Sequence, residues 1–421
     1  MNTVSLALRQ LGRRPLQTLI NALVMGLGIG IVVLLLLGQE QLRERMSRDA
    51  DGIGLVVGPA GSPMQLILSS VYHVDVPIGN LPLSARDLIR QERAVDQTIP
   101  LALGDNFQGF RIVGTEHSYP EHYQATLQDG RLWDHSMEAV LGAEVARQTG
   151  LGTGDSFEGQ HGLGEGGPAH GDHPYRVVGV LAHTGSVLDR LILTAVESVW
   201  DVHAGHSHAD DHADDHDHRH DHDHDHDHDH SHGQGEGRDD GEVTAILVTY
   251  ASPIGAARLP LMIEQNTPWQ AARPAHESAR LFSLLGPALD GLKLFGGLLV
   301  FASLLSVFAL LYQNLRERRY DLAVMRAIGG GPALIFRLTL LEGFMMVLSG
   351  LITGFLLGHL ATALLGSFTA EGRAMMLSGW YWASGETWLL IGVVVAGLLV
   401  ALIPAWLAAR TDVARTLRRG Y

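Results

Sequence analysis

The chain of 421 residues has no cysteine and one lysine, Lys293. Without cysteine there is neither a disulfide framework nor a thiolate metal site, so any metal must be held by imidazole, carboxylate or backbone oxygen. The redox compartment stays open. The single lysine follows Leu292, which excludes a Walker A loop: that loop needs a Gly-Lys pair, because the lysine reaches the β and γ phosphates from a glycine-rich turn. ATP-driven work by this chain would therefore require a partner. Charge is scarce as well, at 18% of residues against 46% hydrophobic, which points to bilayer segments beside a soluble part. The formal net charge of −15 is concentrated in one place. Twelve Asp and two Glu against Arg219 and Arg238 in residues 203–242 account for −12 of it, so the acidity belongs to one loop. No Ser/His/Asp set, paired-carboxylate spacing or basic stripe for nucleic acid rises above background.

Four stretches are present that are long and apolar enough to span a hydrocarbon core, which takes about 20 residues of helix at about 1.5 Å each. They are 16–38, 292–312, 338–360 and 389–408. The first follows Arg9, Arg13 and Arg14 as a signal peptide would, but its apolar region is too long and no small-x-small cleavage site follows, so it reads as an anchor that stays. Arginine sets the orientation. Arg9, Arg13 and Arg14 precede the first span, Arg316, Arg318, Arg319 and Arg326 follow the second, and Arg410, Arg415, Arg418 and Arg419 follow the fourth, whereas 361–388 carries only Arg373. By the positive-inside rule both termini and the 313–337 loop are cytoplasmic, and Trp380–Trp382 fit the opposite interface. The expected order is a cytoplasmic amphipathic helix at 1–15, the first span, an outer domain at 39–291, the second span, the 313–337 loop, the third span, an outer loop at 361–388, the fourth span and a tail at 409–421.

The outer domain reads as mixed α/β. β-like runs "GIGLVVG", "GFRIVGTE", "YRVVGVLAHTG", "DRLILTAV" and "VTAILVTY" alternate with helical patterns "SARDLIRQERAV" and "GAEVARQTG". Ser84 stands where an N-cap would, and Gly150 is placed to end a helix in the left-handed conformation. The pattern dissolves at 203–240 into a His/Asp run that cannot bury a core. A smaller loop at 159–174 holds His161, His170, His173, Glu165 and Asp172, a second chelating patch or simply solvated side chains.

The 313–337 loop carries the most informative pattern. Leu322, Met325, Ile328 and Leu334 can share one helical face, with Glu317, Arg318, Arg319, Asp321 and Arg326 on a polar one. Two readings stand: a basic loop packed at the headgroups, or a docking surface for a partner.

"ERRYDLAVMRAIGG" followed by "LIFRLTLLEG" resembles the hallmark of the MacB/FtsX/LolC family of ABC-transporter permeases. "LALRQLGRRPLQTLI", "DGRLWDHSMEAVLGAEVARQTGLGTGDSF", "YRVVGVLAHTGSVLDRLIL" and "IPAWLAARTDVARTLRRG" resemble it too. The resemblance implies four transmembrane helices, a large periplasmic α/β domain between the first and second, and a bacterial inner-membrane location. It implies a homodimer or heterodimer of permeases. It also implies that Glu317, Arg318, Arg319, Asp321, Met325 and Arg326 belong to a coupling helix docked on a separate cytoplasmic ABC ATPase dimer, through which alone ATP is used. A periplasmic or outer-membrane partner and membrane lipid complete the expected company. The His/Asp run is a departure from the family's pattern.

Thirteen histidines make up the candidate metal ligands: His203, His206, His208, His212, His216, His218, His220, His222, His224, His226, His228, His230 and His232. Most alternate with Asp, so an extended backbone could bring two or three imidazoles and nearby carboxylates around one ion, zinc or else nickel or copper. The ligands are redundant, which predicts several interchangeable sites suited to a buffer or sensor. The plainer reading is a solvated linker whose metal affinity is incidental. Elsewhere, Glu342 and Asn21 lie within spans, where packing roles are expected, and His183, Asp189 and Arg190 fall in a segment that the resemblance makes structural. Three functions compete: an ABC permease with a metal-linked envelope task, a secondary metal carrier, and a non-transporting scaffold or metal sensor. The carrier would need mid-membrane ligands, and the spans offer only Glu342 and the terminal His359.

Overall fold

A computed structural model describes residues 15–161, 174–204, 241–318, 331–369 and 377–410, with Val324, Arg326, Ile328, Gly329 and Gly372. The chain divides into two compact units, residues 1–44 with 283–421 and residues 45–282.

Among the described residues, four helices are long and apolar enough to cross a membrane: α1 (Pro15–Asp49), α8 (Pro274–Glu317), α9 (Pro332–Phe368) and α10 (Ser384–Ala409). A helix satisfies its own backbone polar groups, the condition for a segment in lipid. The apolar stretch of α1 stops at Gly38; residues 39–49 are polar apart from Leu42 and Met46, and the last turn, Arg45–Asp49, belongs to the 45–282 unit. In the helical unit Met25, Ile29, Val33 and Leu37 recur every fourth residue along α1. They form one buried cluster with Val300, Leu304, Val307 and Leu311 of α8 and Met346, Val347 and Leu351 of α9. Glycine sets the helix spacing. A Cβ on Gly354 of α9 would stand 2.5 Å from Ile29 Cβ and 3.0 Å from the Gly26 carbonyl oxygen, and a Cβ on Gly28 would stand 2.8 Å from the Gly296 carbonyl oxygen of α8. Small residues allow such approach where lipid removes the hydrophobic drive between helices.

The 45–282 unit holds strands β1 (Leu55–Pro59), β2 (Leu81–Pro82), β3 (Val95–Phe107), β4 (Phe110–Thr115), β5 (Leu127–Gly130), β6 (Glu138–Leu141) and β7 (Ser156–Phe157). It continues with β8 (Gln160–His161), β9 (Tyr175–Leu181), β10 (Leu191–Ala195), β11 (Glu242–Val243), β12 (Ala245–Tyr250) and β13 (Trp269–Ala272). Its helices are α2 (Pro63–Ser70), α3 (Ser84–Arg90), α4 (Ser118–His122), α5 (Ala143–Thr149), α6 (Val196–Ala204) and α7 (Pro253–Asn266). The main sheet runs β13-β1-β12-β3-β4-β10-β6-β9-β5, with β7 on β9, β8 on β3, and β2 paired apart with β11. β4 with β10 and β6 with β9 are parallel and the other pairs antiparallel, so the sheet is mixed.

Long strand β3 joins its two halves, pairing first with β12 and then with β4 across the turn at Gln108 and Gly109, both at positive φ. On one side Leu55, Val57, Ile246 and Val248 are buried with Ala85 and Ile89 of α3 and Leu259 and Ile263 of α7. On the other, Ile112, Leu141, Val177 and Ile192 are buried with Val145 of α5.

Four membrane-competent helices with a mixed α/β domain between the first and second are the fold class read from the sequence. Gly150, at φ +73, ends α5 with its N–H on the Ala146 carbonyl. Ser84 is not an N-cap: it is the first residue of α3, the cap position is Leu83, and no side chain caps the helix.

Candidate functional site

The loop from α8 to α9 begins where α8 ends at Glu317. Gln313 Nε2 donates to Glu317 Oε1, one turn further on, at 3.1 Å. The Arg318 N–H donates to the Asn314 carbonyl at 3.1 Å, and Asn314 Nδ2 donates to Glu342 Oε1 of α9 at 3.2 Å. Glu342, 6% exposed, thus ties the last turn of α8 to α9. Val324 and Arg326 are helical; the Ile328 N–H reaches the Val324 carbonyl, and Gly329, at φ +104, turns the chain toward Gly331, which precedes α9. Leu334 therefore belongs to α9, and Ile328 is separated from it by the left-handed Gly329, while Leu322 and Met325 of the proposed apolar face lie outside the described residues. Of the six residues that the resemblance implies for coupling, Glu317 and Arg318 stand together at the end of α8 and Arg326 lies in the helical turn. Arg319, Asp321 and Met325 lie outside the described residues.

Of the metal candidates, His203 falls in the last turn of α6, and the twelve from His206 to His232 lie outside the described residues. In the smaller loop His161 pairs in β8 opposite Asp105, while His170, His173, Glu165 and Asp172 lie outside. Among the described residues no group of three or more His, Asp or Glu could hold a metal ion.

The span residues are held by protein. Ser306 Oγ donates to Asn21 Oδ1 at 2.7 Å, joining α8 to α1. His359 Nδ1 faces the Gly379 carbonyl at 2.8 Å and its Nε2 faces Glu386 Oε2 of α10 at 3.0 Å, and the Ala383 N–H donates to Glu386 Oε1 at 2.9 Å. These contacts fasten helices together, as expected for Asn21 and Glu342.

Two acids in the 45–282 unit occupy contrasting seats. Asp189, fully buried in the short 3-10 turn Val187–Arg190, accepts from the Thr184 and Gly185 N–H groups, both at 2.8 Å, and from Thr184 Oγ1 at 3.0 Å; His183 Nδ1 lies 2.8 Å away. That is a structural acid, in keeping with the sequence reading. Asp49 closes α1 and is poorly served. Its Oδ1 has no hydrogen-bond partner, and its Oδ2 lies 3.6 Å from Arg45 Nε. Burial pushes its carboxyl up to about 6, opposed by Arg45, the Val187 N–H, Arg48 and Arg190. Around it Tyr123 donates its hydroxyl to the Asp49 carbonyl at 2.6 Å, Tyr72 shares a 2.6 Å bond with Ser278, and Tyr119 meets His73 Nε2 at 3.0 Å. Burial raises all three phenols and holds His73 well below the ordinary imidazole value. The sequence reading missed this cluster. Its one signal was an acid in the last turn of a helix, where the dipole opposes negative charge.

Comparisons with known proteins cover both units. The FtsX-like permease C-terminal model matches residues 293–412, and the MacB-like periplasmic core domain model matches residues 18–213. The crystal structure of the periplasmic region of MacB from Actinobacillus actinomycetemcomitans matches at 12% identity and a TM-score of 0.33, over 55% of this chain and 95% of that one. The extracellular domain of the noncanonic ABC-type transporter YknZ from Gram-positive bacteria matches at 12% identity and a TM-score of 0.29, over 52% and 99%. No curated protein matches the chain. With an FtsX-like permease match on its last three apolar helices and a MacB-like core match on the first helix and the domain, the chain belongs to the FtsX/MacB-type ABC permeases and is a multi-pass inner-membrane protein.

Proposed function

We propose that this permease subunit couples ATP hydrolysis by a separate cytoplasmic ABC ATPase dimer to a change of shape in its periplasmic domain. The observation that carries the reading is the tie of Glu342 to Asn314, which fixes the end of α8, and with it Glu317 and Arg318, against α9. A push on the loop that these residues open is then delivered to two membrane helices at once. The absence of a Gly-Lys pair leaves nucleotide chemistry to the partner. Arginine bias supports cytoplasmic termini and a cytoplasmic loop. Two such permeases would face the ATPase dimer.

The task is linked to divalent metal in the envelope. The donor set of the His/Asp run, imidazole with carboxylate, fits zinc, with nickel and copper as competitors. These histidines bind only when deprotonated, so affinity falls as pH drops through about 6.5. Bound metal would supply a fixed positive charge on an otherwise acidic loop.

A photocrosslinking residue at Arg326 in the full chain, expressed in its own host, tests the first claim. Capture of an ABC ATPase subunit supports it, and capture of lipid alone contradicts it. Deletion of 205–240 tests the second: ATPase coupling and assembly should survive while the response to added zinc is lost. A zinc response that outlives the deletion contradicts the metal-linked task, and a response without transport favours a sensor or scaffold.

A further inference from the structure

Nothing in the proposed coupling uses Asp49, yet its surroundings are built around a group that can lose its charge. The residue is 4% exposed, closes α1 within the 45–282 unit, and stands clear of the apolar stretch that ends at Gly38. It stands at the C-terminal, negative end of the helix dipole, where a carboxylate is disfavoured. Its Oδ1 has no partner in a buried position, a cost that falls on the ionised form most heavily. The carboxylate takes a bond from the Val187 N–H, and Arg45 Nε lies 3.6 Å from Oδ2, beyond a good hydrogen bond. The Tyr123 hydroxyl, which could have served the carboxylate, instead holds the Asp49 backbone carbonyl at 2.6 Å. The charged and titratable groups facing Asp49 are Arg45 and Arg48 of its own helix, Arg190 from the 3-10 turn, and Tyr72, Tyr119 and Tyr123 from the elements packed on it.

We propose that Asp49 is a proton-binding site that seats the end of α1 in the domain, neutral and docked in acid, charged and displaced as pH rises. The direction follows from linkage. The carboxyl is raised from 3.8 to about 6 in the fold, so the proton's contribution is complete below the lower value and is lost as pH rises through the upper one. The three arginines moderate the effect and do not reverse it. The seat answers to the pH of the compartment that holds the domain, and it does so without the ATPase or a metal.

Because the chain has no cysteine, the exposed residues Ser47 and Glu121 can be replaced as S47C and E121C to carry the only two spin labels. Distances between them are read in the full chain in lipid nanodiscs at about pH 5 and about pH 7.5, either side of the titration. Wild-type background should give one narrow distance in acid and a broadened or shifted distribution at the higher pH, whereas Asp49→Asn should stay narrow at both. Identical distributions for wild type at the two pH values overturn the proposal, as does an Asp49→Asn chain that broadens as wild type does. Asp49→Ser replaces Asn if the amide prevents folding. Thermal unfolding gives a second reading: Tm should fall between the two pH values by more in wild type than in Asp49→Asn, and equal falls overturn the proposal.

Discussion

In the 45–282 unit the core is Leu, Ile and Val from strands with helices laid on them, and its buried acid Asp189 is surrounded by donors. In the helical unit α1 and α9 meet glycine to side chain, and polar side chains such as Ser306 and Asn314 bond from one helix to the next. Water drives the first arrangement, because removing apolar surface from it is favourable. Lipid offers no such gain, so close approach and a few hydrogen bonds do the holding. The same kinds of substitution should therefore be felt differently in the two units.

The largest expected effect is in the domain. Asp189→Ala leaves the Thr184 and Gly185 N–H groups without their acceptor, which should destabilise the 45–282 unit by about 3 kcal/mol; chemical denaturation of the full chain checks it, and a loss near zero would deny the seat its structural role. Next comes Gly354→Ala in the helical unit, where a methyl group would meet Ile29 and the Gly26 carbonyl. Overpacking of this kind costs about 1–3 kcal/mol, and the loss should appear in unfolding of the helical unit from detergent while the domain's transition holds. Ser306→Ala removes one bond to Asn21, and its loss should be about 0.6 kcal/mol.

The smallest effect is an acid response at the surface. Glu138 is held down to about 2 by its bonds to Arg131, both with N···O distances of 2.8 Å or less. Its folded value lies below the ordinary 4.5, so its contribution is present above that value and is lost as pH falls toward 2. Glu138→Gln should flatten that part of the stability profile slightly, since the arginine is half exposed and screened.

Much of this contrast is legible in the sequence, and the failures have physical reasons. Twenty apolar residues in a row need no partner to declare a span, and β1, β4, β9, β10 and β12 announce themselves by branched residues between turn signals. β3 does not, because Pro100 and the polar stretch Gly104–Asn106 break its pattern; pairing with β12, β4 and β8 makes it a strand. α7 hides behind Pro260, which lies inside the helix. Ser84 failed as a cap because its chain enters α3 already turning at Leu83, whose backbone is helical. Glu317, Arg318 and Arg326 could be picked out as a charged cluster, but the tie from Asn314 to Glu342 joins residues 28 positions apart and leaves no local trace. Asp49 is harder still, since burial by Tyr119 and Tyr123 is a fact of tertiary structure.

The most direct test measures ATP hydrolysis by the full chain in lipid, alone and with an ABC ATPase subunit captured from its host. The account predicts none from the chain alone, hydrolysis by the complex, and a rate in the complex that drops severalfold with Arg326→Glu. Hydrolysis by the chain alone, or a complex whose assembly and rate ignore Arg326→Glu, would contradict it.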